Sequence, residues 1–453
     1  VTSEPVPATS PETSRPADPT GRVQRRRVAA AVLLGTTIEW YDFQIYGLAA
    51  GLVLGQLFFP GADPVAATLA AFGTFAVGFA ARPLGGLVMG HFGDRLGRKK
   101  MLVLSLSMMG VATFLMGLLP TYASIGVAAP ILMVLLRVVQ GIGVGGEWGG
   151  AVLTAVEYAD PKRRGLFGSL PQMGVPAGLF LATLAFLGVS QLPEEDFLSW
   201  GWRIPFLISI VLVVVGLFVR AKLEDTPVFR TVRTEKRTVR APLADAVRRY
   251  PKQLVLGTGL MISTGAYFYI VNAFSLSYAK ATQVQTNGTM LLAVLAGSAV
   301  AIMALPVLGV LAQQHGRKKL LVVGLALQAI WIFPTFWAID SGSAVLVVLA
   351  YVVSFLLFAV SYAPQATFIT ELFDASVRYS ASSASYQIGV MLGGAIAPLV
   401  ATSLVAATGT SSSVSAYVAA LSVLSLLCVL AVRQQDVDRA SSDMTGTTGA
   451  STP

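Results

Sequence analysis

Apolar runs long enough to cross a lipid bilayer follow one another from Val28 to Val432, broken by short polar turns and by one long polar stretch near the middle. A helix needs about 20 such residues to cross a hydrocarbon layer of roughly 30 Å. The runs are read as Val28–Gln56, Ala66–Gly90, Met101–Leu119, Val127–Leu153, Gly168–Val189 and Ile204–Val219 before the stretch. After it come Leu254–Tyr278, Thr289–Ala312, Leu320–Ala338, Ala344–Ala366, Ser382–Leu404 and Val414–Val432. The pattern predicts an all-α membrane protein of twelve transmembrane helices in two six-helix halves. The expected division is a Pro-, Ser- and Thr-rich disordered tail over 1–27, a first bundle over 28–219, a basic linker over 220–253, a second bundle over 254–432 and a disordered tail over 433–453.

Composition supports this reading. Hydrophobic residues make up 55% of the chain and charged residues 12%, too little charge to cover a water-soluble surface. The net charge of +9 would suit a nucleic-acid partner, but its placement points to a membrane instead. With both termini in the cytoplasm, all but four of the 32 Lys and Arg fall in the tails and cytoplasmic loops. The exceptions are Arg203 and Lys280 outside, and Arg82 and Arg137 within spans. The linker is the most basic segment and reads as a tether on anionic headgroups. The first apolar run is too long for a signal sequence and is expected to be retained. The one cysteine, Cys428, lies in the last run, allows no intrachain disulfide and reads as a small core hydrophobe.

The loops after the second and eighth runs repeat: GHFGDRLGRKK over Gly90–Lys100 returns as GVLAQQHGRKK over Gly309–Lys319, and Glu157–Arg164 is echoed by Glu371–Arg378. Two parallel repeats joined by a cytoplasmic linker suit a rocker around a midplane site. The loop Gly90-x-x-x-Asp94-Arg95-x-Gly97-Arg98 resembles the signature of the major facilitator superfamily. TTIEWYDFQIYG, FAARPLGG, RVVQGIGVGGEWGGA, GWRIPF and LEDTPVF resemble its metabolite:proton symporters, carriers of shikimate, 2-oxoglutarate, citrate, other dicarboxylates, proline or betaine. The similarity runs from about Arg25 to Arg433. It implies a major facilitator fold and a cytoplasmic gate involving Gly90, Asp94, Arg95, Gly97 and Arg98, with Glu147, Glu157, Arg164, Glu371 and Arg378 as further candidates. The second copy departs from the motif: Gln313 and Gln314 stand where the acid and first base belong, which puts a matching latch there in doubt.

Ionisable side chains inside a bilayer are costly, and each is by default a functional candidate. Glu39 and Asp42 in the first run, Arg82 in the second, and Arg137 and Glu147 in the fourth qualify, all in the N-terminal half. Glu39 and Asp42 are three apart and share a helical face, an arrangement of close carboxylates suited to taking up and releasing a proton. Arg137 offers a planar fork for a carboxylate and would exchange between an internal acid and a substrate anion. The competing reading is that Glu39 or Asp42 simply pairs with Arg137 or Arg82 to hold helices together. Arg82 and Glu147 are expected nearer the cytoplasmic face, in gating or structural positions. In the other half Tyr267, Tyr269, Asn272, Tyr362, Gln365 and Gln387 are candidates to complete a cavity, with Tyr41 and Gln172 from the first half. For each of these an interhelical hydrogen bond is the plainer alternative.

Other signals are discounted. GIGVGG over Gly141–Gly146 fits a dinucleotide fingerprint in letters, but it sits inside a long apolar helix, where small residues let helices approach. Asn287-Gly288-Thr289 is a chance sequon. There is no phosphate loop, nucleophile elbow or metal-ligand spacing, and both histidines, His91 and His315, lie in loops. The expectation is therefore no enzyme, no cofactor and no metal. The chain reads as a monomeric, multi-pass protein of the bacterial inner membrane, a symporter importing a small organic acid with protons. Alternatives are a zwitterion such as proline or betaine, seated on Trp40, Tyr41 or Tyr267, an efflux carrier of a drug or natural product, and a membrane sensor of a metabolite.

Overall fold

The computed structural model describes residues 19–96, 98–145, 164–221, 242–374 and 377–433. Twelve helices of crossing length or close to it order these residues. In the first half they are α1 (Pro19–Ala49), α2 (Pro64–Leu96), α3 (Arg98–Leu118), α4 (Ala128–Val144), α5 (Arg164–Val189) and α6 (Arg203–Ala221). In the second half they are α7 (Pro251–Tyr269), α8 (Asn287–His315), α9 (Arg317–Asp340), α10 (Ala344–Thr370), α11 (Arg378–Val390, continued by Ala397–Thr408) and α12 (Ser412–Ala431). By length and composition eight of the described helices can cross a membrane alone, and a ninth can if α6 is joined to the short helix before it across a 41° bend. Val103–Leu118 and Ala128–Val144 are shorter apolar helices.

The burial pattern inverts that of a soluble protein. Val211, Val214 and Phe218 of α6 and Ile330 and Trp337 of α9 are exposed on the outside, whereas Asp42, Arg137, Gln140, Gln172 and Gln365 are enclosed with no exposed surface. A hydrocarbon solvent rewards that arrangement, because it cannot hydrogen-bond polar groups and they gather inside. The GIGVGG helix packs as its small residues predict. A methyl group on Gly141 would meet Ala81 at 2.8 Å, and one on Gly145 would meet the Gly86 nitrogen at 2.6 Å, so α4 lies flush on α2. Between α8 and α9 the repeated loop turns at Gly316, whose φ of 99° only glycine adopts without strain.

α1 and α7 occupy matching places in the two halves, and both relax into a π turn, at Ala50–Leu54 and Ile270–Phe274. The two turns face each other across the interface between halves: a side chain at Gly51 would strike the Ala273 carbonyl oxygen at 2.7 Å. Just beyond, Lys280 Nζ donates to the Leu52 carbonyl at 2.6 Å and to Gln56 Oε1 at 3.2 Å. At the other face, where the chain leaves α6 toward the linker, the Gly165 N–H donates to Gln313 Oε1 at 2.6 Å and the Gly165 and Gly309 backbones touch. Among the described residues the halves are thus tied at both faces.

Several boundaries differ from expectation. α1 begins at Pro19, so the last residues of the expected tail continue the helix, since Gln24, Arg25, Arg26 and Arg27 are good helix formers attached to an anchored span. Within the expected linker, Pro242–Arg249 is helical and α7 starts at Pro251, while 222–241 lie outside the described residues. Of the gate candidates, Gly97, Glu147 and Glu157 lie outside the described residues, as do the side chains of Asp94, Arg95, Arg98 and Arg164 and the surroundings of Gly90. Glu371 forms an ion pair with Arg317, and Arg378 Nε donates to the carbonyls of Thr370 at 2.9 Å and Phe373 at 3.0 Å. These contacts stay within the second half and close the end of α10.

Candidate substrate and proton site between the halves

Arg137 is laid across bare backbone. A methyl group on Gly78 of α2 would come within 2.6 Å of its Cζ and 2.8 Å of its Nε, so only glycine leaves the slot open. One terminal nitrogen donates to the Phe75 carbonyl at 3.1 Å and the other to Gln140 Oε1. The rings of Tyr46 and Phe43 cover the guanidinium, with centroids 4.1 and 4.7 Å from Cζ. Tyr46 is itself fixed by Thr74 Oγ1 at 2.5 Å. Arg137 is fully buried, and its acceptors are an amide and a carbonyl.

Arg82 shares the Phe43 ring with Arg137 but lies on its linker side, as expected. In place of Tyr46 and Phe75, which lie beside Arg137, it has Phe79 and Trp40: its Cζ lies 3.9 Å from the centroid of Phe43, 4.5 Å from Phe79 and 5.4 Å from Trp40. Its Nε and Nη2 are buried and have no hydrogen-bond partner. These two nitrogens lie on one edge of the guanidinium, the edge that a carboxylate bridges with two parallel bonds. Around Arg82, within electrostatic reach, stand Glu39 and the second-half tyrosines Tyr269, Tyr362 and Tyr386. Tyr269 packs edge-on against Phe75 and Phe79 at 5.2 and 5.3 Å, and its hydroxyl has no partner. The Tyr362 and Tyr386 hydroxyls are 3.4 Å apart.

The two carboxylates of α1 act on each other but keep different company otherwise. Residues three apart on a helix differ by about 60° in direction. Glu39 interacts with Arg82, Tyr362 and Tyr386. Asp42 has no exposed surface, neither carboxylate oxygen accepts a hydrogen bond, and its charged neighbour is Glu39. Its peptide carbonyl accepts from Gln140 Nε2 at 2.9 Å. In the competing reading Glu39 or Asp42 pairs with Arg137 or Arg82; Asp42 takes no part in such a pair, whereas Glu39 does stand within electrostatic reach of Arg82.

The remaining candidates divide. Gln172 Nε2 donates to the Tyr362 carbonyl at 3.2 Å, and Gln387 Nε2 is 3.4 Å from the Gly145 carbonyl, so both reach across the halves. Tyr41, Tyr267 and Asn272 are not gathered with them. The Tyr41 hydroxyl donates to the Pro205 carbonyl of α6 at 2.7 Å. Tyr267 has Ser354 of α10 beside its hydroxyl, and Asn272 sits in the α7 π turn with Nδ2 unbonded. Sequence reasoning missed Gln140, Tyr386 and Gln44, a buried amide with both polar atoms unbonded. Gln140 was within reach of that reasoning, since it lies one turn after Arg137 on the same face. Tyr386 carries no charge to mark it, whereas Tyr269 was among the expected cavity residues.

Residues 28–253 match the family described as "Sugar (and other) transporter" and residues 256–448 the Major Facilitator Superfamily. The chain is 42% identical to the inner membrane metabolite transport protein YhjE of Escherichia coli (strain K12), over 90% of this chain and 93% of that one. It is 38% identical to the shikimate transporter of the same organism, covering 93% and 97%, and 34% identical to the proline/betaine transporter of Salmonella typhimurium, covering 90% and 83%. Among solved structures, the inward open conformation of the xylose transporter XylE from E. coli shares its fold, with a TM-score of 0.71 at 17% identity over 92% and 99% of the two chains. The chain is no enzyme: it belongs to the major facilitator superfamily, as a multi-pass metabolite transporter of the inner membrane.

Proposed function

We propose that the chain is a symporter that imports a small organic acid together with protons, acting as a monomer with both termini in the cytoplasm. The observation that carries this reading is the unbonded edge of Arg82. A buried guanidinium donor without an acceptor costs about 1–3 kcal/mol, and here two such donors point the same way between the halves. A substrate carboxylate supplies both acceptors at once, with the Tyr269 hydroxyl as a further donor. Glu39, beside Arg82, would accept the proton when the substrate carboxylate takes its place at the guanidinium. That exchange couples the two fluxes. Arg137, which the sequence put first as substrate ligand, is instead assigned to the wall of the site, because both terminal nitrogens already have acceptors and two rings cover it, leaving only Nε unbonded, whereas Arg82 has two unbonded nitrogens on one edge.

Of the faces expected to seat a zwitterionic ammonium, Trp40 is already taken by Arg82, while Tyr41 is turned to Pro205 and Tyr267 to Ser354, which favours the acid over betaine. The test is uptake into proteoliposomes under an imposed pH gradient, with labelled shikimate and glycine betaine as probes. Accumulation of shikimate that Glu39→Gln abolishes, with counterflow exchange left largely intact, supports the mechanism. Equal loss of both activities would make Glu39 a structural pair. Accumulation of betaine alone would overturn the substrate class, and binding without uptake of either would favour a sensor.

A further inference from the structure

Tyr269 enters the site from the second half, and its place there depends on a missing side chain. It is the last residue of α7 before the π turn at Ile270–Phe274. Its ring is wedged between the halves. On one side it meets Phe75 and Phe79 of α2 edge-on, and on the other it lies against Gly394, in the π turn Met391–Ala395 that interrupts α11. A methyl group at Gly394 would stand 2.6 Å from Cδ2 and 2.9 Å from Cε2 of that ring, but at an ordinary 3.5 Å from Phe79 Cζ. The seat has a rigid floor, because α7 and α11 touch backbone to backbone here. A methyl group on Gly265 would meet the Gly394 nitrogen at 2.6 Å, and one on Gly393 would meet the Ala266 nitrogen at 2.9 Å.

Holding the ring also places its hydroxyl. Phe79, which carries the Tyr269 ring, carries the Arg82 guanidinium too, 4.5 Å from its centroid. Tyr269 stands within electrostatic reach of both Arg82 and Arg137. Of the three second-half phenols around Arg82, Tyr362 and Tyr386 have each other at 3.4 Å, whereas the Tyr269 hydroxyl is buried with no partner among the described residues. We propose that Gly394 is a positioning residue for substrate recognition: the seat it leaves turns the Tyr269 hydroxyl to the unbonded edge of Arg82, so that one substrate carboxylate is gripped by both halves at once. The inference rests on the reading of Arg82 as the carboxylate ligand. A ring already held by the floor of its seat has little rotamer freedom left to lose when the substrate arrives. An occupied site therefore gains a bond across the interface that an empty one lacks.

The test is a double-mutant cycle on the full-length protein in lipid nanodiscs, reading shikimate affinity and, without ligand, Tm. Tyr269→Phe keeps the ring in its seat and should weaken binding about tenfold, the loss expected for one hydrogen bond to a charged acceptor. Gly394→Ala should weaken binding by a similar factor and lower Tm. Added to Tyr269→Phe, Gly394→Ala should lower Tm again, because the ring still meets the methyl group, yet leave affinity unchanged, because the hydroxyl is already gone. A glycine that matters only for packing would weaken binding in both backgrounds, and that result overturns the proposal, as does wild-type affinity in Gly394→Ala. Wild-type affinity in Tyr269→Phe overturns Tyr269 as a ligand while leaving Arg82 standing. Wild-type protein that binds neither shikimate nor any of a panel of small monocarboxylates overturns the acid reading, and this inference with it. Where Gly394→Ala alone fails to yield monodisperse protein, its combination with Tyr269→Ala decides: the emptied seat should restore folding, and continued failure refutes the seat.

Discussion

Gly78→Ala is the sharpest probe of how Arg137 is held. The new methyl group would stand 2.6 Å from Cζ and 2.8 Å from Nε of a guanidinium that is buried on every side. Ordinary carbon contacts begin near 3.5 Å, so Arg137 or α2 must give by about 1 Å. Overpacking of this kind costs about 1–3 kcal/mol. A shift of that size also loosens the bonds to the Phe75 carbonyl and Gln140, each about 1.5–3 kcal/mol when the donor is charged. A loss of about 3 kcal/mol is the expectation, read by unfolding in detergent together with uptake. The cycle with Arg137→Met gives the decisive comparison, since the shortened side chain vacates the slot. Gly78→Ala should then be tolerated, with a coupling energy above about 1 kcal/mol. Additive losses would show that the methyl group strikes something other than Arg137, and the cage described above would be wrong.

Tyr41→Phe removes the hydroxyl bonded to the Pro205 carbonyl and should cost about 1–2 kcal/mol in unfolding assays while leaving substrate preference unchanged; a changed preference would return Tyr41 to the binding site. Lys280→Met cuts the tie to Leu52 and Gln56 and should favour opening at that face, by roughly fivefold in population if the tie is worth about 1 kcal/mol. Gln313→Leu should favour opening at the linker face instead. Spin-label distances across the ends of α1 and α7, and of α5 and α8, separate the two effects, and an unchanged distribution in either variant refutes its tie.

The architecture was legible because bilayer thickness imposes one length on every crossing run, and because glycine-rich stretches such as Gly141–Gly145 have few other uses inside a helix. The intramembrane charges were legible for their cost. Their partners were not. Arg82 lies on the linker side of Arg137 as counted, but counting along one helix could not show that the two guanidiniums share the Phe43 ring. Glu39 and Asp42 do act on each other, as their shared face implied, but spacing could not show that Glu39 alone reaches Arg82 and the tyrosines of the second half. Tyr386 was passed over because a tyrosine in a polar and apolar mixture looks like core, and only the unbonded edge of Arg82 shows what it and Tyr269 surround.

In the second copy of the repeated loop the acid of the motif is replaced by Gln313, which put a matching latch in doubt on sequence grounds. The first turn of any helix, however, presents N–H groups that no residue of that helix can satisfy. Gly165 lies in the first turn of α5, and its N–H finds Gln313 Oε1 across the interface. A neutral amide meets the same geometric need as a carboxylate while giving up the attraction of a full charge to the positive helix end. At the opposite face the tie is a full charge, Lys280, on neutral oxygens. A carrier that must open each face in turn needs closures that hold and also release. Single hydrogen bonds with a charge on at most one partner meet that need better than paired ions, whose separation inside lipid would cost far more.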